Sequence, residues 1–375
     1  MKMNRLCGVS FVALLFFGHA LRAQTAPSQS LQESEQLQAK IGEVARTLQS
    51  NPRLKKISQQ QRENLVQFIT GNMLFVLLHE LGHTAVDEFE LYVLGREEDA
   101  ADSFAVVRLL GLGSDFSHRM LVEAAKGWFY SDRRDRRDGE PLVFYDEHGL
   151  DRQRAYQIIC LMVGSNPREF KDLANETKLP EDRQESCQTD FAEASKSWQA
   201  ALESHLRGAD QPKAKIDVVY GEGKGQFDAY AQGFHFVQMM ETVAERSTEA
   251  LSWPAPFTLE TQACGFINAR WVQSTRKLTL CYELAADFAE LYRDFGGAVT
   301  TTNHKKKTKS KSAHRRRTTS IGVRWNVISG IPSSRCLKPP LNVSRFMIPD
   351  CVVWAGCRSH TPIMSQDRRA PSEKS

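Results

Sequence analysis

His79, Glu80 and His83 stand in the segment His-Glu-Leu-Gly-His, an HExxH motif. On a helix, residues four apart lie one turn apart on the same face, so both imidazoles can reach one metal ion. Catalytic zinc takes three protein ligands and leaves one position for water, whose pKa falls from about 15.7 toward 7. Glu80, one residue beyond His79, then lies beside that water and can remove its proton. The flanking residues (LLHELGH) are apolar. Two His and one Glu in such a helix are costly to bury unless something pairs them. The spacing therefore points to hydrolysis with one Zn²⁺ per chain, rather than to two packed histidines and a salt-bridged glutamate.

The third ligand must come from another element. A metzincin would need Gly at position 86 and His at 89, where this chain has Val86 and Phe89. Downstream lies Glu97-Glu98-Asp99-Ala100-Ala101-Asp102. Glu98 and Asp102 share a helix face, and Ala100 and Ala101 are small enough for close helix approach. Glu98 is the expected third ligand, with Glu97 as the competing choice and Asp99 a weaker one. Asp102 can accept the outer N–H of a ligand histidine, which fixes its tautomer.

These residues need helices to position them. From Gln61 to about Glu90, Leu65, Phe68, Ile69, Met73, Leu77, Leu78 and Leu81 recur at three- and four-residue steps. The stretch Met73 to Leu78 is apolar all round, which predicts a helix buried in a domain centre. A break near Leu94-Gly95 precedes a second helix, from Glu97 to about Leu110. Further helices are expected over 116–130, 151–164, 190–206, about 227–251 and 283–295. SDRRDRRDGEP (131–141) reads as a solvated loop. Lys215 to Tyr220, Arg270 to Val272 and Lys277 to Tyr282 read as strands, the last two around a turn. GEGKG (221–225) lacks the GK[ST] of a phosphate loop and reads as a hairpin turn.

HELGH followed by GREEDAADSFA resembles the gluzincin-type zinc metallopeptidases, which pair an HExxH helix with an ExxxD helix. The whole stretch FVLLHELGHTAVDEFELYVLGREEDAADSFA is similar to a bacterial family of secreted metallopeptidase-like proteins of uncharacterised function. So are YDEHGLDRQRAYQIICLMVGSNP and CGFINARWVQSTRKLTLCYEL, and the resemblance spans roughly residues 60–298. It implies a zincin-like fold, His79, His83 and Glu98 as ligands and Glu80 as base, and it implies no substrate. Peptide hydrolysis also needs a group for the oxyanion, usually a His or Tyr from a later helix in this fold type. His148, beside Asp146 and Glu147, and Tyr156 are the candidates. A salt-bridge cluster at a helix start explains the same residues.

The chain has 375 residues, 41% hydrophobic and 25% charged, the composition of a globular protein. Its net charge of +4 sums two opposed parts: 299–375 holds 16 Lys and Arg against 3 Asp and Glu, leaving 33 against 42 elsewhere. Residues 1–23 read as an export signal, with Lys2 and Arg5 before the apolar run Val9–Phe17 and small residues at Ala20 and Ala23. That run is too short for a transmembrane anchor, and no later stretch is expected to cross a membrane. A periplasmic or secreted location would permit disulfides, and Cys160–Cys187 and Cys264–Cys281 are the short-loop pairing among three possible ones.

The expected organisation is therefore a signal (1–23), a linker and helix (24–60), a helical metallopeptidase core (61–210), a small α+β part (211–298) and a basic tail (299–375). The fold class is mainly α (α+β). The expected function is an exported zinc metallohydrolase acting on peptide or protein substrates. A secreted scaffold with a structural, four-ligand zinc is the alternative. His304 to Arg317 (HKKKTKSKSAHRRR) offers a polyanion contact without specific nucleic-acid recognition. Residues 318–375, with Cys336, Cys351 and Cys357, have no clear periodicity and resemble an accidental extension.

Overall fold

The computed structural model describes residues 27–50 and 54–296. The signal-like segment 1–23 and the tail 299–375, with the run 304–317 and Cys7, Cys336, Cys351 and Cys357, lie outside the described residues. Helix α1 (Pro27–Thr47) leads into α2 (Gln59–Glu88), the element on which the rest is assembled. Ser58 starts α2 with a capping box. Its hydroxyl accepts from the Gln61 N–H at 3.1 Å, and its own N–H donates to Gln61 Oε1 at 2.8 Å. Buried Arg62 donates to the carbonyls of Ala45 and Ile57, fastening the α1–α2 connection. Among the described residues α2 is the one helix long and apolar enough to cross a membrane, and that stretch is mostly buried within the protein.

Its partners follow in order: α3 (Glu97–Gly111), α4 (Asp115–Asp138), α5 (Asp151–Ser165), α6 (Lys171–Glu176) and α7 (Glu181–Leu202). Phe68, Met73, Phe75 and Leu77 of α2 are buried with Phe104 of α3, Met120 and Leu121 of α4, and Ile158 and Ile159 of α5. Each such side chain contributes about 1.5–3 kcal/mol by leaving water. The disulfide Cys160–Cys187 joins α5 to α7. There a Cβ on Gly164 would stand 2.0 Å from the Cys187 carbonyl oxygen, so the backbones approach as closely as glycine permits.

The chain then forms β1 (Ile216–Tyr220), α8 (Asp228–Val237), α9 (Met239–Ala250), β2 (Phe257–Gln262), β3 (Ala269–Val272), β4 (Lys277–Cys281) and α10 (Tyr282–Leu291). The sheet order is β1-β2-β4-β3; β1, β2 and β4 run parallel and β3 pairs antiparallel with β4 at the edge. The disulfide Cys264–Cys281 ties the turn before β3 to the end of β4. The protein is thus mainly helical, with a small mixed sheet in its C-terminal part, as the patterning predicts, and both short-loop disulfides form.

Several local expectations are corrected. The charge run 131–141 is helical as far as Asp138, because its arginines are paired across the fold: Arg134 Nη1 with Asp287 at 2.6 Å and Arg137 Nη1 with Asp294 at 3.0 Å. The predicted helix over 227–251 is two helices, broken where Gln238 takes a positive φ of 56°. The helix expected over 190–206 begins at Glu181. GEGKG is not a hairpin turn, since β1 pairs parallel with β2 and the turn leads into α8. Strand β2, with alternating burial, and the short α6 were not expected. In the segment 24–60, helix begins at Pro27.

Candidate metal centre

Glycine at the fourth motif position brings the two site helices together. A Cβ on Gly82 would lie 3.1 Å from Ala101 Cα and 3.4 Å from Ala101 Cβ, so α2 and α3 touch backbone to backbone. At that separation the start of α3 faces the motif, and the four carboxylates of its first two turns divide their tasks. Glu98 Oε2 lies 3.1 Å from His79 Nε2 and 3.5 Å from His83 Nε2, and the two Nε2 atoms are 3.2 Å apart. Asp102 Oδ1 meets His79 Nδ1 at 2.8 Å, and Glu97 Oε1 meets His83 Nδ1 at 2.7 Å. Asp99 turns away to pair with Arg96 at 2.8 Å. The sequence leaves Glu97 and Glu98 in competition; in the fold Glu98 faces both Nε2 atoms and Glu97 takes the outer nitrogen of His83.

This triangle fits one divalent ion. Donors about 2.0–2.1 Å from a tetrahedral ion stand about 3.3 Å apart, and the three edges here bracket that value. With both Nδ1–H groups donating to carboxylates, the two Nε2 atoms face each other as acceptors, a repulsive arrangement that a cation or a proton relieves. Glu98 Oε2 is buried and makes no well-directed hydrogen bond, although His79, His83 and His148 nitrogens crowd it. Among the described residues, His79, His83 and Glu98 group as donors with no fourth member.

Electrostatics follow from these contacts. Burial opposes the charge on Glu98, but His148, His79 and His83 outweigh it and hold the carboxyl well below the usual range. Burial likewise opposes Asp102, which Arg154 and His79 bring down to about 2. Burial alone would lower His83, yet the nearby Glu98 and Glu97 carboxylates push it up to about 9. His79 is raised in the same way, by Asp102 and Glu98 against burial. Burial raises the Glu80 carboxyl, with the two histidines pulling the other way.

Glu80 is buried on α2 and held from the sheet: Trp271 donates its backbone N–H to Glu80 Oε2 at 2.9 Å and its indole N–H to Asp87 Oδ2 at 2.8 Å. Edge strand β3 is thereby anchored beside the motif. His148 reaches the site from the α4–α5 loop, its Nε2 2.9 Å from Glu98 Oε2 and its Nδ1 3.1 Å from Asp146. Its ring lies 6.3 Å from that of His79, nearly parallel, and Glu98 raises its pKa. Tyr156 is elsewhere, its hydroxyl donating to the Thr177 carbonyl at 3.0 Å.

Two contributors are invisible to spacing. Buried Arg154 donates from Nε and Nη2 to the two oxygens of Asp102 at 2.8 and 2.7 Å, and its guanidinium lies over the Trp128 ring at 3.8 Å. The order Trp128–Arg154–Asp102–His79 is a continuous brace from α4 and α5 to the motif. Trp271 is the second contributor. No helix or strand period around Arg154 or Trp271 ties either side chain to the motif; only the fold does.

An HExxH helix faced by a helix carrying Glu and Asp four residues apart, with carboxylates on both outer imidazole nitrogens, is the arrangement that the metallopeptidase motif calls for. Residues 40–202 match the family DUF4344, described as "Putative metallopeptidase", which bears out, over that stretch, the metallopeptidase resemblance read from the sequence. No curated protein and no solved structure matches the chain. The matched segment contains every donor of the triangle and ends before the sheet that supplies Trp271.

Proposed function

We propose that the chain is an exported, zinc-dependent metallopeptidase whose ligands are His79, His83 and Glu98 and whose general base is Glu80. The observation that carries this reading is the three-donor triangle with a buried, backbone-anchored carboxylate next to it in the motif. A structural zinc would call for a fourth protein donor, whereas a three-donor set suits a catalytic ion. The signal-like segment 1–23 and the two disulfides support export.

Bound zinc supplies a water acidified to about pKa 7 and a Lewis acid for the scissile carbonyl. The chain's own groups do the rest. Glu80, its proton affinity raised by burial, takes a proton from the attacking water and delivers it to the departing amine. Trp271 N–H fixes the orientation of that carboxylate. His148, whose pKa Glu98 raises, is the group proposed to donate a hydrogen bond to the carbonyl oxygen as it becomes an oxyanion. A peptide substrate is favoured over other acyl compounds because the family that matches is described as a metallopeptidase one. Glu80→Gln is expected to retain the metal and lower turnover by about 10²–10⁴-fold, measured with a quenched peptide pool. Undiminished turnover in that variant would remove Glu80 from its role.

A further inference from the structure

Large apolar side chains are normally covered, and clusters of uncovered ones mark interaction sites. Here they concentrate in loops that run directly into the metal centre. In the α2–α3 loop, Tyr92 is 98% exposed and Leu94 101%. In the α4–α5 loop, Tyr145 is 92% exposed, with Leu142 and Phe144 also in solvent. The turn before β3 adds Phe266 and Ile267. The first loop ends at the helix that carries Glu98, the second contains His148, and the third leads to Trp271 and its bond to Glu80.

Tyr92, Leu94, Leu142 and His148 line one cleft of about 1660 Å³. Pockets for small molecules occupy about 300–1,000 Å³, so this cleft is sized for several residues of chain. Its side adjoining the metal centre is the contact of His148 with Glu98. Strand β3 is the sheet edge, and its Trp271 N–H points away from β4 and is taken by Glu80, so this edge holds the base in place. The two larger loops carry Glu90, Glu140, Asp146 and Glu147 against Arg96. That balance repels an anionic lipid surface and leaves an extended polypeptide as the occupant the site fits.

We infer that the exposed apolar side chains of these loops form a rim that captures extended polypeptide segments rich in aromatic and branched aliphatic residues and delivers them to the metal centre. The inference rests on the peptidase reading for what happens after capture, but capture itself can be measured without hydrolysis.

The test uses the full chain carrying Glu80→Gln and two fluorescein-labelled peptides of equal length and charge, one rich in Phe, Leu and Val, the other in Ser, Thr and Gln. The apolar peptide is expected to bind at least tenfold more tightly. Replacing Tyr92, Leu94, Phe144 and Tyr145 by Ser should abolish that preference while metal content and circular dichroism stay unchanged, since these side chains are in solvent. Equal affinity for both peptides, or an undiminished preference in the fourfold variant, would overturn the rim. So would capture by phosphatidylglycerol vesicles without capture by peptide. In the chain with Glu80 intact, binding without cleavage would contradict the hydrolase reading and leave the rim standing. Equal cleavage of both peptides would contradict the rim and leave the hydrolase.

Discussion

At the scale of single residues, the site is governed by what stands between His79 Nε2, His83 Nε2 and Glu98 Oε2. Without a metal, the Glu98 and Glu97 carboxylates hold the His83 proton up to about 9 against burial, where the ordinary value is 6.5. Because the folded pKa is the higher one, this stabilisation of the metal-free fold is present in full below about 6.5 and lost as pH rises through about 9. Metal must displace that proton. Loading at pH 7 is therefore expected to release protons, read as a dependence of binding enthalpy on buffer ionisation enthalpy, and affinity should rise from pH 6 to 9. A pH-independent affinity would contradict the assignment. Arg154 acts one contact further out. Arg154→Met leaves the buried Asp102 carboxylate with His79 as its remaining partner and no guanidinium, and is expected to cost about 3–5 kcal/mol in urea denaturation, with weaker metal binding. How legible such residues are depends on distance along the chain. Glu98 and Asp102 follow from helix arithmetic, because both lie one turn apart on a helix that must face HExxH. Glu97 and Glu98 are neighbours on different faces, and only the packing angle decides which one meets the Nε2 atoms. Arg154 stands 52 residues from Asp102, and Trp271 stands 191 from Glu80. No local periodicity carries information over those separations.

At the scale of elements, the α2–α3 contact sets the donor triangle. Gly82→Val would push Ala101 away and is expected to destabilise the protein by about 1–3 kcal/mol and weaken metal binding, measured by thermal melts with and without zinc. Unaltered metal affinity would show that the helix separation is not what places Glu98. Helices α2 and α3 are readable because their apolar residues repeat at the helical period and their chemistry falls on the same face. The charge run of α4 defeats such a reading: in isolation SDRRDRRD has no apolar face, and its helix depends on Asp287 and Asp294 at the other end of the chain. Strand β2 did carry a signal in FTLETQ, whose Phe257, Leu259 and Thr261 are buried in alternation. The break at Gln238 carried none, because no glycine or proline marks it.

At the scale of the whole molecule, the described residues carry a core of their own. Buried hydrophobic residues run from Ile41 to Leu291. A chain of residues 27–298 is accordingly expected to melt cooperatively and to bind metal as the full chain does. A chain ending at 202, although it holds all three donors, should lose the edge strand that anchors Glu80, and with it hydrolysis. Loss of folding in the 27–298 chain, followed by circular dichroism, would assign the tail a structural part. The central claim remains that His79, His83 and Glu98 hold one metal ion. The most direct measurement is elemental analysis of the purified full chain and of His83→Ala after equilibration with zinc. One zinc per chain in the first and none in the second is the expected result. No zinc in either, with the fold intact, would contradict the account and reduce the HExxH helix to a packed segment.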